Sequence, residues 1–228
     1  MSASTLFFSL VGGVLPALLW LWFWLREDRL HPEPRSLIML SFFWGMLMVL
    51  FALPAEQWIW SATKNMTYVI IGWAIVEETL KFIGAYFGAL RDRENNEPID
   101  SLIYLITASL GFAALENTLF LAGAVQTGGF VEGLDLGVLR FVGASLLHVV
   151  SSGTLGFFLA LGFYKRGRTK KADAALGLAA AICLHALFNL FILRGAGSSV
   201  YTLSVFAFVW LAVILLLIGF EKVKQLKA

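Results

Sequence analysis

Two adjacent glutamates, Glu77 and Glu78, stand in the middle of an apolar run, TYVIIGWAIVEETLKFIGAYFGAL (67–90). A charged side chain at the centre of a membrane-spanning helix costs about 2.5–3.5 kcal/mol on insertion scales. Two like charges side by side add their repulsion to that cost. A carboxylate held in such a place can exchange protons near neutral pH or bind a metal ion. The pair therefore predicts a chemical function.

Three further ionisable residues, Glu116, His148 and His185, lie inside other apolar runs. Ionisable groups within membrane helices usually face the interior of the bundle and mark a functional site. Glutamate and histidine are common general acids and bases, and together they can also ligate Zn²⁺. The sequence thus offers five candidate residues for one site.

The composition indicates which class of protein must position these residues. The chain has 228 residues, of which 59% are hydrophobic and 14% charged, with a mean hydropathy of +0.82. A soluble domain would carry roughly 25% charged residues. We predict an all-α, multi-pass helical bundle in the cell membrane, a single integral-membrane domain over residues 1–228 with the lipid bilayer as its surroundings. Nothing indicates nucleic-acid binding.

Runs of about 20 apolar residues mark the membrane spans, because a helix rises 1.5 Å per residue across a hydrocarbon core about 30 Å thick. Pro54 is expected to end the second span, and a glycine-rich stretch (128–137) to separate the fourth from the fifth. The first run lacks a basic flank, so we expect a retained span rather than a cleaved signal. About seven spans are predicted, at about 4–25, 36–53, 67–90, 99–124, 138–163, 172–193 and 199–220.

The basic residues predict the orientation. With the N-terminus outside, the cytoplasmic loops hold Arg91, Arg93 and the basic segment YKRGRTKK (164–171), whereas the outer loops hold only Lys64 and Arg194. Cytoplasmic loops carry an excess of lysine and arginine. We therefore expect an outside N-terminus and a cytoplasmic C-terminus.

Depth arithmetic places the candidate residues at one level. Counted from the outer ends of their spans, Glu77 and His148 lie roughly 15 Å deep, and Glu116 and His185 about 12 Å deep. Four different helices thus bring ionisable groups into the outer half of the membrane, which predicts a single site.

Helical spacing predicts partners for these groups. Residues four apart share a face, which pairs Glu77 with Lys81, His148 with Ser152, and His185 with Asn189. Lys81 is expected to hold one glutamate ionised while the neighbouring glutamate faces about 100° away. Three glutamates face two cations, Lys81 and Arg140, which leaves one negative charge for a proton or a cation to balance.

Four segments contain the candidate residues: EETLK (77–81), GFAALENTLF (111–120), LLHVVSSG (146–153) and LHALFN (184–189). Together they resemble the motifs of the PrsW family of intramembrane proteases. HPEPR (31–35) and PID (98–100) also look like short segments of that family, which is related to the CAAX prenyl endopeptidases. Phe82 stands where the CAAX pattern has arginine, and Glu116 where it has histidine, so PrsW is favoured.

The resemblance implies proteolysis of a membrane-protein substrate. The best-known role in the family is site-1 cleavage of an anti-sigma factor, which starts a stress response. The candidate catalytic residues are Glu77, Glu78, Glu116, His148, His185 and Asn189, with Lys81, Asn117, Arg140, Ser152 and Asp100 in support.

Our hypothesis is that Glu77 or Glu78 activates a water for attack on a peptide carbonyl, with Glu116 as a second acid or base. The two histidines and Asn189 would stabilise the oxyanion or protonate the leaving amine. A zinc-dependent version, in which the same glutamates and histidines are ligands, stays open because the chain has no HExxH motif. The sequence favours the version without a cofactor.

Other functions remain possible on the sequence alone. Intramembrane glutamate, lysine and histidine can form a path for protons or cations in a transporter, although the two halves of the chain show no repeat. A CAAX-type prenyl-protein protease and a binding protein without activity are further alternatives.

Overall fold

The computed structural model describes residues 2–27, 31–194 and 199–226, and these ranges are helical apart from short connections. The helices are α1 (Ala3–Leu25), α2 (Arg35–Ala62), α3 (Met66–Ala85), α4 (Pro98–Leu139), α5 (Ser145–Leu161), α6 (Gly167–Arg194) and α7 (Ser199–Val223). A π-helical turn, Tyr86–Leu90, follows α3, and a second one, Arg140–Ala144, precedes α5.

Six helical segments within the described ranges are long and apolar enough to cross a membrane. They come from every helix except α3, whose 20 residues include Glu77, Glu78 and Lys81. The predicted all-α membrane bundle is confirmed. Which way its ends face stays a prediction.

The second helix continues past Pro54, contrary to the expectation that this proline ends it. α2 runs to Ala62 with Pro54 inside. Proline removes one backbone N–H donor, which weakens a helix without preventing its continuation. The extra two turns pack beside α3, where the indole N–H of Trp73 donates to the backbone oxygen of Glu56 at 3.1 Å.

The glycine-rich stretch is helical rather than a loop. α4 is 42 residues long and has one break, at Gly129, where φ is 86° and ψ is −175°. A side chain with a Cβ rarely adopts this conformation, so glycine is what permits the change of direction. Beyond the break the chain returns along the bundle and enters α5 through the Arg140–Ala144 π-helical turn.

α4 is the centre of the bundle, since α1, α2 and α5 all pack against it. Every residue from 98 to 114 is buried. The backbones of α2 and α4 approach so closely that a Cβ at Gly45 would overlap the backbone oxygen of Ala108. α3 packs on α6, and α6 on α5, so that α3, α4, α5 and α6 surround a common space.

The close approach of α2 to α4 predicts that a glycine-to-alanine change lowers the stability of the protein at Gly45 but not at Gly123. Gly45→Ala should lower the free energy of unfolding by about 1–3 kcal/mol, because the methyl group forces the helices apart. Gly123→Ala is the matched control, since nothing lies within 4 Å of its Cβ position. Thermal unfolding in detergent would measure both, and equal midpoints would contradict the packing.

Candidate active site

The structure brings the five ionisable candidates together from four helices. Glu77 and Glu78 lie on α3, Glu116 on α4, His148 on α5 and His185 on α6. One oxygen of Glu77, Oε2, lies 3.9 Å from His148 Nδ1 and 3.8 Å from His185 Nε2. The residues that the sequence placed at a common depth in the membrane therefore lie close together in the structure.

The two adjacent glutamates have different surroundings, although they share Lys81. The ammonium nitrogen of Lys81 lies 3.2 Å from Glu77 and 2.7 Å from Glu78. The expectation that Lys81 would hold one glutamate while the other faced elsewhere is wrong, because its long side chain reaches between both. Glu78 also accepts hydrogen bonds from Ser152 (3.1 Å) and His185 Nδ1 (2.7 Å). Its side chain is 0% exposed and does not line the cavity described below.

Each histidine is oriented by a carboxylate through one ring nitrogen. His185 Nδ1 lies 2.7 Å from Glu78, and His148 Nε2 lies 3.2 Å from Glu116. Because a carboxylate only accepts, these contacts assign the proton to Nδ1 of His185 and Nε2 of His148. The other ring nitrogen of each histidine then carries a lone pair, and both lone pairs face Glu77.

This arrangement suits a metal ion. Glu77, His148 and His185 are all buried, and each offers a ligand atom within 4.8 Å of the other two. His148 Nδ1 has no hydrogen-bond partner within the described residues. Ligand atoms of tetrahedral zinc lie about 3.3–3.4 Å apart, given bonds of about 2.0–2.2 Å, so small side-chain movements would complete the geometry. Carboxylates that hold ligating histidines, as Glu78 and Glu116 do here, are the usual outer partners of zinc.

Arg140 ties Glu116 of α4 to the segment that leads into α5. Its guanidinium bonds Glu116 and the side-chain oxygen of Asn117, and it lies over the Phe120 ring at 4.1 Å. Asn117 in turn donates to Ser145 at 3.1 Å. The first residue of the π-helical turn is therefore fixed to α4 beside the site.

A cavity of about 260 Å³ opens above these groups. Glu77 and Glu116 are in its wall, whereas Glu78 is not. Apolar side chains line the end of the cavity that is formed by the start of α3 and the end of α6, and Glu77 and His185 lie deeper along the same helices. The lining residues are Met66, Ile70, Trp73, Glu77, Glu116, Phe120, Arg140, Ala144, Leu147, His148, His185, Asn189, Ile192 and Leu193.

The supporting candidates divide into those at the site and one outside it. Ser152 is at the site but bonds Glu78 rather than its helical neighbour His148, and Asn189, one of the candidate catalytic residues, lines the cavity. Asp100 instead accepts the backbone N–H groups of Asn96 and Glu97 and caps the start of α4. It precedes Glu116 by sixteen residues of helix, about 24 Å. Its place in a short motif did not distinguish a cap from a catalytic support.

Sequence reasoning missed the apolar walls and one acidic neighbour. Trp73 lines the cavity one turn before Glu77, and that i, i−4 spacing was available as a signal. Glu56, which interacts electrostatically with Glu77 and Glu116, was missed because α2 was expected to end at Pro54.

Comparisons with known proteins identify the family of the chain. A family profile described as "PrsW family intramembrane metalloprotease" matches residues 33–218. A "Protease PrsW" of Geobacillus kaustophilus (strain HTA426) is 29% identical over 66% of this chain and 65% of its own length, just under two thirds. Those of Oceanobacillus iheyensis and Bacillus subtilis (strain 168) are 28% and 24% identical, over 86% and 87% of this chain and 88% and 89% of their own lengths. No solved structure gives a significant match.

The contacts of Lys81 predict a large loss of stability when its charge is removed. Lys81→Met should lower the free energy of unfolding by about 3–5 kcal/mol, because two buried carboxylates lose their common partner. Lys224→Met is the control, since Lys224 is paired with Glu27 and Glu221 but partly exposed. That change should cost less than about 1 kcal/mol. Thermal unfolding in detergent measures both, and similar losses would contradict the importance of the buried network.

Proposed function

The chain belongs to the PrsW family of intramembrane metalloproteases, and we propose that it is a zinc-dependent endopeptidase in which Glu77, His148 and His185 hold the metal. Family membership makes it a peptidase of the membrane. The observation that supports the metal is the meeting of two histidine lone pairs with a carboxylate oxygen. Without a cation between them, three acceptors would face one another.

The charges of the site favour the same conclusion. Among the described lysine, arginine and glutamate residues that form salt bridges with one another at the site, Glu77, Glu78 and Glu116 outnumber the cations Lys81 and Arg140 by one. A divalent ion converts that excess of negative charge into an excess of positive charge. A site with one positive charge can stabilise the oxyanion that forms when water attacks a peptide carbonyl.

A zinc ion at this position would polarise the peptide carbonyl and make water more acidic. Glu116 is the carboxylate that we assign as proton acceptor and donor. Its side chain is 17% exposed in the cavity, whereas that of Glu78 is fully buried. Arg140 holds Glu116 in place, and Asn189 in the cavity wall donates to the oxyanion.

Glu78 has a different role from the one that the sequence left open. It fixes the ring of His185 and shares Lys81 with Glu77, so we assign it as a positioning residue rather than the group that activates water. The geometry also favours the zinc alternative over the cofactor-free version that the sequence favoured. The matches to PrsW proteases favour proteolysis over transport and over a prenyl-protein protease.

The metal is tested by its content in purified full-length protein. The wild type should hold about one zinc per chain by elemental analysis, and Glu77→Gln or His148→Ala should lower that content at least tenfold. Glu116→Gln should lose less zinc than these ligand variants, because Glu116 is not a ligand and the amide oxygen of glutamine can still accept the hydrogen bond from His148 Nε2. Glu132→Gln, an exposed change on the same helix, is the control. Equal metal in all variants, or none in the wild type, would refute the proposed site.

The substrate is a membrane protein cut near the end of the bundle where α1 begins, because the cavity opens between the start of α3 and the end of α6. If the predicted orientation holds, this end faces outside the cell. We extend the proposal to an anti-sigma factor cut on its extracytoplasmic side in a stress response. The support for that extension is the family's motifs together with the orientation predicted from the basic loops.

The substrate can be identified in the native host. Membrane proteins from a strain that carries Glu116→Gln should include one single-span protein that accumulates uncut, compared with the wild type. Glu77→Gln should accumulate the same protein, and Glu132→Gln should not. Mass spectrometry of protein termini makes the comparison. Identical processing in all strains would exclude the protease function, and an uncut protein other than an anti-sigma factor would exclude that extension.

A further inference from the structure

A second cavity lies beside the catalytic one and shares no residue with it. It has a volume of about 320 Å³ and runs between α1 and the part of α4 that bends at Gly129. We call it the lateral groove; its walls include Phe8, Ser9 and Val11 of α1, Leu121 and Phe130 of α4, and Phe141 of the π-helical turn. All of these side chains except that of Ser9 are apolar, as expected of a surface within the hydrocarbon layer.

The lateral groove and the catalytic cavity lie on different sides of one wall, which consists of α4 around Phe120 and the π-helical turn at Arg140. Phe120 and Arg140 face the cavity, and their chain neighbours Leu121 and Phe141 face the groove. The wall is one helix thick, about 10 Å. Trp20 of α1 donates to the backbone oxygen of Phe141 at 3.2 Å, which fixes α1 to this wall. An occupant of the groove therefore lies about one helix diameter from the cavity that contains Glu116.

The hydroxyl of Ser9 indicates what kind of molecule fits. Ser9 is 1% exposed, lines the groove, and its Oγ has no hydrogen-bond partner within the described residues. It lies six residues inside α1, about 9 Å from the helix start. A buried hydroxyl without a partner is unfavourable. A lipid acyl chain has no polar atom at that depth, whereas a second helix offers backbone carbonyls and hydroxyl side chains for such a bond.

We propose that the lateral groove is the docking site for the transmembrane helix of the substrate. This inference rests on the proposed function, because only a membrane-protein substrate would present such a helix. The helix lies against α1 and the bent part of α4, with a polar atom bonded to Ser9. The segment that follows it passes over the wall of Phe120 and Arg140 into the catalytic cavity.

Photo-cross-linking of the full chain in lipid nanodiscs tests the groove directly. The probe is a synthetic single-span helix of leucine and alanine with one central serine and lysines at both ends. A photoreactive residue at Val11 should capture this helix, and the same residue at Leu10, which is similarly exposed but outside the groove, should not. Ser9→Ala, or a helix without serine, should lower the yield about threefold.

The alternatives give different cross-links. Capture of lipid or of a second copy of this chain at Val11, with the helix in excess, would overturn the proposal. Equal capture of the helix at Val11 and Leu10 would do the same.

Variants in the native host separate this inference from the proposed function. Val11→Trp fills the groove, so the uncut substrate should accumulate although zinc content and thermal stability stay at wild-type values. Leu10→Trp should process the substrate normally. Normal processing by Val11→Trp would refute the docking site alone. A wild-type strain that processes no membrane protein would instead refute the proposed function, while the cross-linking result would still report on the groove.

Discussion

Lys81 places one ammonium group between two carboxylates in a part of the molecule that is closed to solvent. Its nitrogen is within 3.2 Å of both Glu77 and Glu78, and its side chain is 0% exposed. Three charges in an apolar bundle are tolerated only when each has a partner. The pairing offsets part of the cost of placing both carboxylates inside the membrane. Glu78 can then fix His185, and Glu77 can face the cavity as a ligand.

The remaining parts of the site depend on rigid helices rather than on loops. α4 supplies Glu116 from the most buried element, and the π-helical turn before α5 brings Arg140 to it. π-helical turns occur often at functional sites because the additional residue redirects the side chains that follow. His148 lies one turn beyond this irregularity. The direction of its ring is thus set by the geometry of the turn and by its bond to Glu116.

The sequence predicted the class of fold and the residues that meet, because both follow from hydrophobic length and from the cost of charge in lipid. It did not separate Glu77 from Glu78, because a helical wheel gives a direction but not the reach of a lysine between them. Pro54 and the glycine-rich stretch were interpreted as ends of helices. In the structure packing keeps α2 helical, and Gly129 alone absorbs the bend. Asp100 belongs to the PID segment that resembles the family, but in the structure it caps the start of α4. The residue pattern alone does not distinguish a helix cap from a residue that supports the site.

Hydrolysis in a membrane requires two environments, because the substrate helix needs an apolar surface and the reaction needs water and charge. A single cavity would have to compromise between them. In this bundle one wall separates the environments: Leu121 and Phe141 face the apolar groove, and Phe120 and Arg140 face the polar cavity. A substrate bound on the apolar side must leave helical structure before its backbone can cross the wall, since a peptide bond within a helix is shielded by its own hydrogen bonds. The wall therefore favours cleavage at the frayed end of a transmembrane helix over cleavage at its centre.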